Sequence, residues 1–150
     1  TAPSAQAEPK RTPREEADEL FNLTMAAAEQ GQAATVAQTA PIAILAYQQL
    51  GALDDDATFH LASLHLVAGD FRAASATAGE ILARAPNHVL ALSVAARAAA
   101  GAGDLAARRK HYETLLAGYD AELKKPLPEY QDHARVLPMD REAAQKALGK

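Results

Sequence analysis

The chain has no cysteine and no tryptophan, and aromatic residues fill only 5% of its 150 positions. Without cysteine, disulfides and thiolate metal sites are excluded, and redox usage says nothing about compartment. No run approaches the ~18 apolar residues of a membrane span. Lys and Arg are scattered among Asp and Glu with a net charge of −4, so the basic stripe that nucleic acid requires is missing. Arg108-Arg109-Lys110 is the one dense basic cluster and Lys124-Lys125 a smaller one. Both read as solvated helix faces or favourable charges near helix ends. Alternating β-branched runs are almost absent, which leaves nothing to make strands from.

What is present is alanine, roughly a quarter of the chain and the best helix former. The 49% hydrophobic content therefore overstates the core. Alanine helices approach closely and bury little area each, so at ~25 cal/mol per Å² the fold gains only modest stability. Composition and length predict a single all-α domain.

Thr1 to Pro13, rich in Ala, Pro, Ser and charge, reads as a disordered leader or linker over 1–12. Ala5-Gln6-Ala7 fits the small-residue pattern of a signal-peptide cleavage site. A removed signal peptide, a removed membrane anchor upstream of Thr1 or an arbitrary boundary would each leave such a stub. The leader and the alanine content lean toward a bacterial protein, periplasmic or anchored facing the periplasm, with a cytoplasmic setting as the alternative.

Thr12-Pro13 predicts a helix start, with a capping hydroxyl, Pro at the first position, and Glu15, Glu16 and Asp18 in the opening turns. Leu20, Leu23, Ala27 and Ala28 follow at helical spacing until Gln30-Gly31. Pro41 is expected to break or start a helix, and Ile42, Leu45, Tyr47 and Leu50 form an apolar one that Gly51 ends. Asp54-Asp55-Asp56 caps the next helix, whose inner face carries Leu61, Ala62 and His65. Helices from Phe71 to Ala85 (inner face Ala74, Ala78, Ile81), Val89 to Ala100 and Leu105 to about Leu116 complete the plan. After Pro126 and Pro128, shorter helices are expected over Glu129–Leu137 and Asp140–Leu148, separated by Pro138.

Gly69-Asp70-Phe71 recurs 34 residues later as Gly103-Asp104-Leu105, a period that marks a helical repeat array. From Asp55 to His88 the chain resembles the tetratricopeptide repeat family in Leu61, Ala62, Gly69-Asp70-Phe71, Ala74 and Pro86. It departs from that pattern at Thr58, His65, Ala78 and Ile81. The second unit, Val89 to Glu122, fits through Leu92, Ala95, Ala96, Gly103-Asp104-Leu105, Tyr112 and Leu115, with Arg108 where the family has alanine. An earlier unit resembles it in Leu20, Leu23 and Gly31, then in Ala43, Tyr47 and Leu50. The resemblance implies a right-handed superhelix of about two to three antiparallel helix pairs over 13–125, with 126–150 as a helical cap.

In that family the first helices line a concave groove for partner segments. Carried onto this chain, the groove falls on Phe21, Met25, Phe59, Ser63, Leu66, Leu90, Ser93 and Arg97. It would be mostly apolar with one cation and suit an amphipathic helix or extended peptide. Ser63, Ser93 and Arg97 do not reproduce the clamp by which some members grip chaperone tails. With so few repeats, Phe59 or Leu66 can instead pack against a flanking helix or the C-terminal tail.

Catalytic signatures are absent: no GxSxG, phosphate loop or dinucleotide pattern occurs. The five histidines, His60, His65, His88, His111 and His133, are read as offering no i, i+4 ligand pair and no carboxylate at metal spacing. No metal or cofactor is expected. The resulting expectation is a non-enzymatic scaffold that binds a protein segment. The alternative is a structural subunit held in a larger complex or homodimer.

Overall fold

A computed structural model describes residues 8–150; residues 1–7 of the expected leader, with its Ala5-Gln6-Ala7 pattern, lie outside the described residues. Among the described residues there are eight helices and no strand. They are α1 (Pro13–Glu29), α2 (Ala33–Gln48), α3 (Asp55–Val67), α4 (Phe71–Arg84), α5 (Val89–Gly101), α6 (Leu105–Glu122), α7 (Pro128–Asp132) and α8 (Leu137–Ala147). None is long and apolar enough to cross a membrane.

Each of the pairs α1/α2, α3/α4 and α5/α6 packs on itself, and α3 also touches α1 and α5. The central helix α3 is consequently buried around most of its circumference, including Phe59, His60, Ser63, Leu64 and Leu66. Leu61 and His65, expected on its inner face, are only half-buried. Helix α8 lies on α5 and α6, and α7 reaches α3.

The start of α1 forms as expected: Thr12 accepts from the Glu15 backbone N–H, and the Glu15 carboxylate accepts from that of Thr12. The repeated Gly-Asp turns share one construction. Gly69 and Gly103 take φ of 82° and 79°, the left-handed region where glycine has no Cβ to clash. That reversal lets the Asp70 and Asp104 N–H groups return to His65 and Ala99 carbonyls, each at 2.9 Å, closing the helix ends. The same aspartates then accept from the Ala73 and Ala107 N–H groups at 3.0 Å to open the next helices.

Three expectations are corrected. Pro41 neither breaks nor starts a helix but sits inside α2; it is exposed, so the carbonyl it leaves unpaired one turn earlier can meet water. Helix α6 continues past Leu116 to Glu122, because Tyr119 and Glu122 extend its buried stripe. Pro138 opens α8 rather than separating helices, a position where its missing N–H costs nothing. The segment before it is a single short helix, α7.

Candidate functional site

A polar cluster sits where α1, α2, α3 and the C-terminal segment meet. Arg14, in the first turn of α1, is its organiser. Its Nε donates to Asp18 at 2.9 Å, one terminal nitrogen to Asp54 at 3.2 Å and the other to Asp56 at 2.6 Å. Asp54 also caps α3 through the Ala57 N–H, so this guanidinium ties the first helix to the start of the third.

Behind it, the fully buried Tyr47 of α2 donates its hydroxyl to Asp18. The Nδ1 of His60 lies 2.8 Å from the Tyr47 oxygen and 3.2 Å from Asp18 Oδ1. Since Tyr47 already gives its proton to Asp18, its oxygen receives one from His60. This bonding places the His60 proton on Nδ1 and leaves Nε2 as a bare lone pair. That Nε2 faces two groups: His133 Nε2 at 2.9 Å and Asp56 Oδ1 at 3.4 Å. His133 Nε2 is in turn 3.2 Å from Asp56 Oδ1.

Aromatic rings wall the cluster. Phe21 stacks on His60 with centroids 3.9 Å apart, and Phe59 meets His133 edge-on at 4.9 Å. Burial holds the His60 imidazole below its ordinary pKa, against the nearby Asp56 and Asp18 charges. Burial would raise the Asp56 carboxyl, but the His133 hydrogen bond and the charges of His60, His133 and Arg14 bring it below its usual range. Burial, followed by the bond to Asp18, pushes the Tyr47 hydroxyl far up, so it remains a donor.

A second polar set fastens the same C-terminal segment further along. His88, with no exposed surface, accepts from the Ala91 N–H through Nδ1 and donates Nε2–H to Glu129 at 2.9 Å. Tyr130 receives the Val89 N–H at 2.9 Å and donates to Glu122 at 3.0 Å. No buried side-chain nitrogen or oxygen among the described residues lacks a partner.

The expected groove residues fall as follows. Phe21, Phe59, Ser63, Leu66, Leu90 and Ser93 are buried, Met25 is half-buried and Arg97 is exposed. Phe59, Leu66 and Leu90 share one core cluster with Tyr130, Leu137 and Ala144 of the C-terminal segment. Ser93 and Arg97 face Asp140 of α8. The molecule's own tail therefore lies along much of the face on which a partner was expected. What stays open is a hollow of about 500 Å³ lined by Ala28, Gly31, Val36, Val67 and Arg97, among others.

Asp56 and His60 are four residues apart on one helix face, an i, i+4 pair that the reading of Asp54-Asp55-Asp56 as caps alone passed over. That signal was in the sequence. The arrival of His133 was not, since it depends on where α7 docks. Compared with protein-family models, curated proteins and solved structures, the chain matches none.

Proposed function

We propose that the chain is a non-enzymatic interaction module, a short array of tetratricopeptide-like helix pairs, that binds an acidic-apolar segment of another protein at the hollow beside Arg97. The observation that carries this reading is a cation set at the edge of an apolar recess. Ala28, Val36 and Val67 supply walls for one or two apolar side chains, and the exposed Arg97 guanidinium suits a carboxylate next to them.

Peptide display on the purified chain tests it. The expected binders pair an apolar side chain with Asp or Glu. Arg97→Glu and Val67→Glu should each weaken them about tenfold or more, a loss of ~1.4 kcal/mol. Arg72→Glu, on the exposed side of α4, should leave them unchanged. Binders indifferent to Arg97 and Val67 would overturn the assignment.

A second reading, a structural subunit with no peptide groove, is favoured by the burial of Phe59, Leu66 and Leu90 in one core cluster with tail residues. Sedimentation separates the two. A tight dimer that loses its association on Val67→Glu would move the hollow from partner docking to self-assembly.

A further inference from the structure

We propose that Asp56, His60 and His133 form a binding site for one divalent transition-metal ion of the zinc class, which staples the C-terminal segment to α3. The three candidate ligand atoms are Asp56 Oδ1, His60 Nε2 and His133 Nε2, separated by 2.9, 3.2 and 3.4 Å. Metal–ligand bonds of about 2.0–2.2 Å in a tetrahedral site place ligand atoms about 3.3–3.6 Å apart, slightly wider on the whole than the separations here. The triangle already present is close to one face of that tetrahedron, and water would complete it.

Four further features of the cluster fit a cation. The His60 Nδ1–H is engaged by Tyr47 and Asp18, which fixes the ring and aims its Nε2 lone pair at the other two ligands. Carboxylate support behind a ligating imidazole is the usual second layer of a metal site. The charge balance points the same way: Asp18, Asp54 and Asp56 surround the single guanidinium of Arg14, leaving two negative charges in excess when the imidazoles are neutral. Arg14 also holds the Oδ2 of Asp56, which leaves Oδ1 directed at the histidines. Asp56 and His133 keep 14% and 18% of their side-chain surface exposed, so an ion can enter from solvent.

Without an ion, one proton on His133 Nε2 suffices to satisfy His60 Nε2 and Asp56 Oδ1. A bound ion takes the place of that proton, which moves to Nδ1 of His133; the imidazole remains neutral and no charge is lost. Because Asp56 and His60 stand on α3 and His133 ends α7, occupancy couples the array to its tail. This proposal does not rest on the Arg97 hollow, and either can fail alone.

The test uses the untagged full chain, stripped with chelator and titrated with Zn²⁺ alone by calorimetry. One ion per chain is expected. With free Zn²⁺ a hundredfold above its dissociation constant, the unfolding equilibrium should shift about a hundredfold toward the native state. Co²⁺ should give the intense visible bands of tetrahedral coordination. His133→Ala and Asp56→Asn should abolish binding while the chain stays folded by circular dichroism, and His111→Ala should bind as the wild type does. Asp18→Asn, which removes support without removing a ligand, should weaken binding about 10–100-fold. Hydrogen exchange over Tyr130–His133 should slow on Zn²⁺ addition in the wild type and in His111→Ala, and not in His133→Ala. A wild-type chain that takes up no Zn²⁺, or a His133→Ala chain that binds it as tightly, overturns the proposal.

Discussion

The ring of Phe71 lies where a side chain on Gly101 would be. A Cβ built on Gly101 overlaps the ring at Cε1, Cζ and Cδ1, so the start of α4 and the end of α5 touch through the absence of a side chain. Alanine normally favours a helix over glycine by ~1 kcal/mol, while overpacking costs about 1–3 kcal/mol. The clash should win. Gly101→Ala is expected to lower stability by about 1 kcal/mol in urea unfolding, and in a Phe71→Ala background the same change should be neutral or stabilising. Equal effects in both backgrounds would show that the ring moves aside freely.

The two Gly-Asp turns should respond alike. Asp70→Ala and Asp104→Ala each remove a helix cap and should cost ~1 kcal/mol, whereas the Asn variants, which cap as well, should change little. Gly69→Ala forces an L-residue into φ of 82° and should cost roughly 1–2 kcal/mol. Thermal or urea midpoints measure all of these. A free substitution at Gly69 would mean that the turn has another accessible conformation.

Tyr130→Phe tests how firmly the tail is tied down. It strips the Val89 N–H and the buried Glu122 carboxylate of their shared partner, and an unsatisfied buried group costs about 1–3 kcal/mol. The expected loss in urea unfolding lies in that range. A change below about 0.5 kcal/mol, the scale of ordinary surface substitutions, would mean that water replaces the hydroxyl without penalty.

Asp140 should make stability depend on pH. Burial pushes its carboxyl from 3.8 up to about 6, although the neighbouring Ser93 hydroxyl and the Arg97 charge both act to lower it. Tyr112 and Tyr119 also face it. Because the native state holds the proton more tightly than the unfolded chain, this group stabilises fully below about pH 4. That contribution is lost as pH rises to about 6 and is constant beyond. Asp140→Asn removes the ionisation. Relative to wild type, its stability should rise between pH 4 and 6 and then level off, by on the order of 2 kcal/mol. A pH-independent difference in urea unfolding would show that Asp140 titrates normally.

Local chemistry made much of the fold legible. Thr12-Pro13 and Asp54 start helices as such residues do, the Gly-Asp pairs turn the chain, and Ala74, Ala78 and Ile81 mark the buried stripe of α4. The misreadings arose where a rule of local sequence met a tertiary circumstance. Pro41 survives within α2 because it faces water, and α6 runs on because Tyr119 and Glu122 find a buried neighbour in the C-terminal segment. Half of the metal-like cluster could have been read from Asp56 and His60. The rest draws on α1, α2 and α7, up to 77 residues away in the chain.

The sequence by itself determined that this is a chain of helices, where most of them begin and turn, and that thiolate chemistry has no part in it. Those properties follow from propensity, capping and composition, which act within a few residues. Only the tertiary structure decided that residues 126–150 lie back on the helix pairs, join the core cluster that holds Phe59, Leu66 and Leu90, and bring His133 to Asp56 and His60. That outcome depends on shape and hydrogen-bond matching between distant surfaces, which no local pattern encodes.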